Sequence, residues 1–169
     1  RSIGVLHPGA MGIAVAATLA NGGSRVLWVS DGRSSQTRER AESRPLVDAV
    51  TLDALCWNAE AIVSVCPPHA AEEVARSVAD RSFRGLYLDA NAIAPARSRR
   101  IGEVVEGAGA SYVDGGIVGG PPTGPGETWL YLSGPHAEEA AGLFSAGPLE
   151  TEAPGRGTGT ASAMQMCYA

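Results

Sequence analysis

A glycine-containing turn near the N-terminus is the first candidate for chemistry. It reads His7, Pro8, Gly9, Ala10, Met11, Gly12. Residues 2–6 before it predict a short buried strand, and residues 10–21 predict a helix that two glycines end. Strand, glycine turn and helix in this order can present backbone N–H groups to a pyrophosphate. In the usual G-x-G-x-x-G pattern, the first glycine would stand at His7. Gly9 still lets the backbone approach a ligand closely, and Gly12 still lets the helix pack tightly on the strand. The alternative is a glycine turn that binds nothing.

The end of the second predicted strand carries residues suited to a nucleotide ribose or to a phosphate on it. That strand covers residues 25–29. Ser30 then stands where dinucleotide-binding folds usually carry an acidic residue for the ribose hydroxyls, with Asp31 next. Arg33 and Ser34 offer a guanidinium and a hydroxyl group that suit a 2′-phosphate. We therefore favour NADP over NAD as the cofactor. The alternative is a solvated loop in which Ser34 only caps the next helix.

Strands and helices alternate along the rest of the chain. Further strands are predicted over residues 61–66, 85–88, 111–113 and 129–133. Helices are predicted over residues 35–42, 70–79, 97–106 and 135–144, with a short strand-and-helix connection over 47–54. This alternation predicts an α/β, Rossmann-like doubly wound and mainly parallel sheet. The unusual loops follow the strands, at residues 7–12, 30–34, 66–69, 89–95 and 114–122, so we expect them to line one ligand site.

The composition excludes several classes of function. The chain has 169 residues and a net charge of -5, which argues against a nucleic-acid partner. It contains neither an apolar run long enough for a membrane span nor a signal peptide, so we expect no membrane partner. The three scattered cysteines predict reduced thiols and a cytoplasmic protein, and no Cys/His spacing predicts a metal site. All 13 basic residues are arginine, so no mechanism can use a lysine of this chain.

Four motifs resemble one enzyme family along the whole chain. The chain resembles the NAD(P)-binding domain of the β-hydroxyacid dehydrogenases, relatives of 6-phosphogluconate dehydrogenase and of imine reductases, and most of all a phosphogluconate-dehydrogenase-like subgroup. Residues 6–12 are similar to G-x-G-x-M-G, and residues 89–95 form a DANAIAP segment after a strand. Residues 114–120 stand at the place of D-x-P-V-S-G-G, and residues 159–168 at that of G-x-G-x-x-x-K-x-x-N.

The resemblance implies roles for individual residues. The glycine turn would hold the pyrophosphate, Arg33 and Ser34 the 2′-phosphate, and Asn91 would lie near the nicotinamide with a catalytic role. The segment along the cofactor ribose would be Cys66, Pro67, Pro68. The floor of the substrate site would be Val118, Gly119, Gly120. The resemblance also implies a Rossmann-like domain over residues 1–156 and, over residues 157–169, the start of an interdomain helix. That helix would lead to a helical domain through which the protein forms a homodimer.

Three departures from the family pattern affect the chemistry. Gln165 stands at the place of the family's catalytic lysine, Tyr168 at that of its asparagine, and Val118 at that of its substrate-binding serine. General acid–base help is worth about 10²–10⁴-fold in rate, and an amide cannot transfer a proton near neutral pH. Imine reductases also lack the lysine, and an iminium substrate needs no proton on oxygen. Tyr168, one helical turn after Gln165, is the alternative proton donor, although a packed helix residue is the simpler interpretation.

Three functional hypotheses follow. The first is an NADP-dependent oxidoreductase that transfers hydride to or from a small carbonyl, hydroxyacid or imine substrate. The second is a cofactor-binding sensor or scaffold without turnover, which the absent lysine favours. The third is an isolated domain that is inert without its other half, because the apolar helix from residue 160 has no C-terminal signal. His7 has a backbone role or touches ligand, and Asp114 orients the substrate loop or caps a turn.

Overall fold

One mixed sheet forms the centre of the computed structural model, which describes residues 1–168. The eight strands in these residues are β1 Ser2–Leu6, β2 Arg25–Trp28, β3 Val47–Asp48, β4 Ala61–Ser64, β5 Leu86–Asp89, β6 Ser111–Val118, β7 Trp129–Ser133 and β8 Glu150–Gly155. The seven α-helices there are α1 Ala10–Asn21, α2 Ser35–Glu42, α3 Leu52–Asn58, α4 Ala71–Ala79, α5 Pro95–Gly107, α6 Ala137–Ala141 and α7 Thr160–Cys167.

The strand order places a ligand crevice beside β1. The order is β3-β2-β1-β4-β5-β6-β7-β8, and among the described strands only the β6–β7 pair is antiparallel. The chain moves outward on one side of β1 through β2 and β3, then returns to the other side at β4. Ligands of such sheets bind where the order reverses, at the carboxyl ends of the strands. The predicted α/β, Rossmann-like doubly wound sheet is confirmed.

Two apolar clusters cover the two faces of the sheet. One joins α1, α6 and the turn at 142–144 to the face that carries Ile3, Val63 and Leu88. The other joins α3, α4 and α5 to the face that carries Ile62 and Tyr87. The central strands are therefore apolar on both sides, which explains the continuous apolar runs of a buried parallel sheet.

Several predicted boundaries were wrong. The segment 114–118, predicted as a loop after a strand, continues β6, because β7 pairs with it from Asp114 to Val118. Strand β8 was not predicted: its sequence, ETEAPG, lacks an apolar run, and its strand conformation depends on pairing with β7. The predicted strand 61–66 ends at Ser64, and the predicted helix 135–144 is short α6 followed by a 3-10 turn. Ala169, predicted to continue the last helix, lies outside the described residues.

Helix α7 packs closely on β6 because β6 carries a glycine there. A Cβ atom at Gly116 would lie 2.6 Å from the carbonyl oxygen of Ala161 and 3.0 Å from Cβ of Gln165. Asp114 and Gly116 point to the same face of β6, since side chains alternate along a strand. The glycine pair after Asp114, predicted as part of a ligand loop, therefore also serves helix packing.

We expect Gly116→Ala to destabilise the protein by about 1–3 kcal/mol, the usual cost of overpacking. The added methyl group would push α7 away from β6. The measurement is the free energy of unfolding by urea. Gly142→Ala is the matched control, because its backbone φ is -60° and a methyl group there would meet open space within residues 1–168. Equal stability of the two variants would contradict close packing of α7.

Candidate functional site

The turn between β1 and α1 is closed by backbone contacts that require a glycine at its end. The N–H of Gly9 donates to the carbonyl of His7 at 2.8 Å. A Cβ atom at Gly12 would clash with that same carbonyl oxygen. Around Gly9, by contrast, a Cβ atom would meet only open space in the described structure. The turn is therefore closely packed at Gly12 and bare at Gly9, where no other atoms of the described residues occupy the space beside the backbone.

The first turn of α1 keeps its N–H groups free for a ligand. The N-cap is Gly9, which has no side chain to accept from them, and the first backbone bond of the helix is from Ile13 to Gly9. The N–H groups of Ala10, Met11 and Gly12 thus point out of the helix without a helical acceptor. A helix N-terminus of this kind binds phosphate oxygens. The turn fits the pyrophosphate of a dinucleotide.

His7 contributes its backbone to the sheet and its side chain to the adjoining cavity. Its N–H donates to the carbonyl of Val65 at 3.0 Å, so the turn stays attached to the end of β4. Within the described residues Nδ1 is buried without a hydrogen-bond partner. Burial first, and then the nearby Arg33 guanidinium, lower the pKa of His7 to about 4. The imidazole is therefore neutral at pH 7 and can accept or donate a hydrogen bond.

A cavity of about 440 Å³ opens beside this turn at the carboxyl ends of β1, β2 and β4. Four residues predicted for the cofactor line it, namely His7, Arg33, Cys66 and Pro67. Other lining residues come from the start of α3 with its N-cap, from α4 and from the turn just after α4, and include Thr51, Asp53, Val74, Ser77 and Arg81. The cavity has the size of a small-molecule pocket and lies next to the bare turn.

Sequence reasoning missed the contribution of α3 and α4 to this cavity. Arg81 Nε lies 2.7 Å from Asp53 Oδ1, so an ion pair joins the end of α4 to the start of α3 at the cavity wall. Thr51 caps α3 by accepting from the N–H of Ala54. The sequence did contain a signal for this contribution, because a loop that follows a parallel strand lies at the same edge of the sheet as the other ligand loops. Residues 47–54 were nevertheless predicted only as a connection.

Arg33 and Ser34 lie in the loop after β2 but differ in their contacts. Arg33 lines the cavity, and its Nε is buried without a partner in the part of the chain that the structure describes. The Ser34 hydroxyl group accepts from the N–H of Thr37 at 3.2 Å and also contacts the Thr37 hydroxyl. Ser34 therefore caps α2, as one of the two hypotheses predicted. Ser30 is buried, and its N–H donates to Asp48.

The loop after β4 is attached to the loop after β5 by the side chain of Asn91. Its Oδ1 accepts from the N–H of Cys66 at 2.6 Å, and its Nδ2 donates to the Ser64 hydroxyl at 3.0 Å. Both ends of the buried amide are thus engaged within the protein. Burial raises the pKa of the Cys66 thiol, so it is protonated at neutral pH. Pro68 then starts a 3-10 turn that leads into α4.

Two buried carboxyl groups lie side by side at the ends of β5 and β6. Asp89 and Asp114 are register partners in adjacent strands, with Ser64 and Ser133 on either side of them. Burial is the main cause that raises the pKa of Asp89 to about 7, and the Asp114 charge adds to it. Asp89 Oδ2 is buried without a partner among residues 1–168. Asp89 is therefore the carboxyl group of the two whose surroundings favour the neutral form.

Asp114 holds the N-terminus of α7. Its carboxylate accepts from the N–H groups of Gly159 at 3.1 Å and Ser162 at 2.9 Å. It also accepts from the hydroxyl groups of Ser98, Ser133 and Ser162. A negative charge next to free N–H groups stabilises a helix N-terminus. Asp114 was predicted to orient the substrate loop or to cap a turn; its contacts instead cap the N-terminus of α7, 45 residues further along the chain.

Helix α7 brings Gln165 to the carboxyl end of β6. Its Nε2 donates to the carbonyl of Ile117 at 3.0 Å, next to Val118. Within the described chain its Oε1 is buried without a partner, so one acceptor remains for a ligand or a water. Gly119, with a φ of +110°, starts the loop after β6, and the Thr128 hydroxyl closes that loop by donating to the Gly120 carbonyl. Tyr168 is 65% exposed at the end of α7.

The structure thus brings the predicted residues together in two groups. His7, Arg33 and the loop after β4 line the cavity. Gln165 instead bonds to the carbonyl of Ile117, the residue before Val118, at the end of β6. In residues 1–168 no cluster of three His, Cys, Asp or Glu side chains could hold a metal ion. None of the helices described there has the length and apolar character to cross a membrane.

We expect the free energy of unfolding to report the neutral state of His7. Because the folded pKa is about 4 and the unfolded value is about 6.5, the unfolded chain gains the proton first as the pH falls. Between about pH 7.5 and about pH 4.5 the wild type should lose about 2 kcal/mol more than His7→Gln. His69→Gln, which changes an exposed imidazole, serves as the control and should behave as the wild type does.

We expect Asp114→Asn to destabilise the protein by about 2–3 kcal/mol, because the amide nitrogen cannot accept from the N–H groups at the start of α7. Urea unfolding gives the free energy, and circular dichroism reports the helix. The control Glu106→Gln changes an exposed carboxylate on α5 and should leave the free energy within about 0.5 kcal/mol. A neutral result for Asp114→Asn would show that α7 does not depend on this carboxylate.

Three solved structures illustrate what the chain is similar to. The conserved protein MTH1747 of unknown function, described as structurally similar to 3-hydroxyacid dehydrogenases, matches with 25% identity and a TM-score of 0.84, over 99% of this chain and 62% of its own. An imine reductase variant from Myxococcus stipitatus in complex with NAD⁺ matches with 20% identity and a TM-score of 0.78, over 98% and 58%. A reductive aminase from Aspergillus terreus in complex with NADPH and ethyl levulinate matches with 18% identity and a TM-score of 0.77, over 98% and 59%.

These matches agree on the fold, and the chain spans about three fifths of the length of the proteins that it matches. No curated protein sequence matches it. The model of the NAD binding domain of 6-phosphogluconate dehydrogenase matches residues 2–140, which include the glycine turn, Arg33 and Asn91. The chain is therefore an NAD(P)-binding domain, and it belongs to the family of the NAD binding domain of 6-phosphogluconate dehydrogenase.

Proposed function

We propose that this chain is the cofactor domain of an NADP-dependent oxidoreductase that acts on a small carbonyl, hydroxyacid or imine substrate. One observation carries the proposal: His7, which begins the glycine turn, lines the same cavity as Arg33, and two residues further on Gly9 leaves open space before the N–H groups that start α1. The same family includes NAD(P)-binding domains of dehydrogenases, and structurally similar reductases bind NAD⁺ or NADPH.

The residues of the turn would hold the pyrophosphate. The N–H groups of Ala10, Met11 and Gly12 provide donors without using a charged side chain. Substitution of Gly9 would fill the space where a phosphate group must approach, because its Cβ direction is open in the described structure. Cys66 and Pro67 of the next loop would contact the ribose, since both line the same cavity.

Arg33 favours NADP over NAD in this proposal. Its guanidinium projects into the cavity with a free buried Nε in the described chain, so a bidentate contact with a phosphate monoester needs no rupture of an existing ion pair. Ser34 could also contact the phosphate through its backbone or its hydroxyl group, but that hydroxyl group already accepts the capping bond from Thr37. NAD remains the alternative, because Asp31 also lines the cavity and could accept from ribose hydroxyl groups.

The end of β6 would form the reaction site. The bound nicotinamide supplies or accepts hydride; the chain itself must position the substrate and handle the proton. Gln165 can donate or accept a hydrogen bond there but cannot transfer a proton at neutral pH. Val118 offers an apolar contact where a hydroxyacid substrate would favour a hydroxyl group. These two residues favour an imine, because an iminium carbon accepts hydride without proton transfer to an oxygen.

A second candidate is a nucleotide-binding protein without turnover. The observation that favours it is the bond between the Gln165 amide and the Ile117 carbonyl, which lets the side chain serve as a helix-to-strand contact rather than as a catalytic group. The catalytic roles predicted for Tyr168 and Asn91 remain predictions. So do the domain division at residue 156, the homodimer and the cytoplasmic location.

The test is a paired titration of NADPH and NADH into the protein, followed by nicotinamide fluorescence. The proposal expects saturable binding of both, with NADPH bound at least about tenfold more tightly. A screen of small imines and carbonyl compounds with the tighter cofactor then separates turnover from binding alone. Absence of binding for both nucleotides would overturn the proposal and would leave the cavity without a role.

We expect Arg33→Ala to weaken NADPH binding by about tenfold to a hundredfold while it changes NADH binding by less than about threefold. Loss of the guanidinium removes the contact to the 2′-phosphate, which NADH lacks. Arg100→Ala is the matched control, because it removes one exposed guanidinium on α5 and should leave both affinities unchanged. Equal losses for NADPH and NADH in Arg33→Ala would assign Arg33 to a part of the cofactor that both nucleotides share.

A further inference from the structure

Two side chains of the cavity carry buried nitrogen atoms that have no hydrogen-bond partner in the described chain. They are Nδ1 of His7 and Nε of Arg33, both unpartnered within residues 1–168. Both residues line the cavity of about 440 Å³ beside the glycine turn. Buried polar groups of folded proteins nearly always have partners. Two such side chains at one cavity therefore indicate that a ligand with acceptor atoms completes their bonding.

Strand register and a turn bring these two side chains to the same level of the sheet. Strands β1 and β2 pair in parallel, with Gly4 opposite Leu27. Three residues further along each chain, His7 is level with Ser30. The N–H of Arg33 donates to the carbonyl of Ser30 at 3.1 Å, so the chain turns back and keeps Arg33 beside the end of β1. After burial, the Arg33 charge is the second cause that lowers the pKa of His7, which agrees with this proximity.

The chemistry of the two side chains suits a phosphate monoester. The imidazole of His7 is neutral at pH 7 and carries one N–H group. Because Nδ1 is the buried nitrogen, Nε2 is the ring nitrogen that can donate into the cavity. The guanidinium of Arg33 adds a positive charge and several donors in a fixed plane. A phosphate monoester offers three oxygen atoms that can accept from both side chains at once.

The other charged groups of the cavity leave the end of β1 as the place for an anion. They are Asp31 on the same loop as Arg33, Glu73 on α4, and the ion pair between Asp53 and Arg81. That ion pair engages Arg81, whereas Arg33 makes no ion pair within residues 1–168. Asp31 and Glu73 are exposed, so water and salt weaken their repulsion of an anion.

We propose that His7 is a specificity-determining residue of this site: its Nε2–H donates to the 2′-phosphate of NADP, which it binds jointly with Arg33. The inference rests on the proposed function, because it assigns a second contact to the group that distinguishes NADP from NAD. It also explains a histidine where the G-x-G-x-x-G pattern has glycine, since a glycine has no side chain to reach the cavity. The bonds of His7 to Val65 and Gly9 use only its backbone, so the imidazole stays available.

The experiment measures the dissociation constants of NADPH and NADH for the wild type, His7→Ala, His7→Gln and Arg33→Ala. His7→Ala removes the imidazole, whereas His7→Gln keeps an amide N–H at about the position of Nε2. His136→Ala is the matched control, because it removes a partly exposed imidazole that precedes α6 and does not line the cavity. Circular dichroism and urea unfolding show that each variant is folded.

We expect His7→Ala to weaken NADPH binding by about tenfold and NADH binding by less than about twofold. His7→Gln should stay within about threefold of the wild type for both nucleotides, and His136→Ala should bind as the wild type does.

The possible failures are distinguishable. Equal losses for both nucleotides in His7→Ala, or no loss for either, would overturn the inference. So would a His7→Gln variant that loses as much NADPH affinity as His7→Ala does. In each case a wild type that prefers NADPH, with the preference abolished in Arg33→Ala, would leave the proposed function intact. A wild type that binds neither nucleotide, or that prefers NADH, would overturn both.

A measurement on the wild type tests the contact if His7→Ala does not fold. Adenosine 2′,5′-bisphosphate and adenosine 5′-monophosphate differ only in the 2′-phosphate. The ring nitrogen resonances of His7 should shift on saturation with the bisphosphate by much more than with the monophosphate, because only the bisphosphate offers the acceptor. Those of His136 should not change with either ligand. Equal shifts of the His7 resonances with the two ligands would overturn the inference.

Discussion

The carboxylate of Asp114 is the contact on which the arrangement of the second half of the chain depends. It lies on β6 and is bonded to α5 through Ser98, to β7 through Ser133 and to the start of α7 through two backbone N–H groups. A buried charge is tolerated only where donors surround it. All of these elements must therefore be in place together, and α7 can start only where the carboxylate lies.

The side chains on one face of the sheet become polar toward the carboxyl ends of the strands. Ile62, Tyr87 and Tyr112 form an apolar and aromatic row across β4, β5 and β6. The next row on the same face contains Ser64, Asp89, Asp114 and Ser133, all buried. The first row stabilises the sheet by burial, and the second accepts and donates the bonds that orient the loops and α7. On this face of the sheet, the side chains thus change from an apolar row in the core to a polar row at the strand ends within two residues.

In the turn after β1, two glycines leave space that side chains would otherwise fill. Gly12 lets α1 begin directly over the His7 carbonyl, and Gly9 leaves the outer side of the turn open. His7, in place of the usual first glycine, does not fill the turn, because its backbone bonds to Val65 and Gly9 while its imidazole lines the cavity. The departure from the glycine pattern is therefore compatible with the same cradle.

Much of the fold could be predicted from the sequence because its signals are local. The apolar runs of β1 and β4, the glycine turn and the alternation of strands with helices were sufficient to predict the doubly wound sheet, whose strand ends carry the predicted ligand residues. Strand β8 could not be predicted, since its polar sequence becomes a strand only by pairing with β7. The continuation of β6 past Asp114 was missed for the same reason.

For the candidate site, the sequence by itself determined which residue types are present: a glycine turn, an arginine after β2, an asparagine after β5 and a glutamine where a lysine would be expected. Only the tertiary structure decided their partners. Ser34 caps a helix, Asn91 joins two loops, and Asp114 holds a helix that begins only at Thr160, far along the chain. A hydrogen bond depends on distance in space, and residues far apart in sequence meet only when strand register and helix packing have placed them.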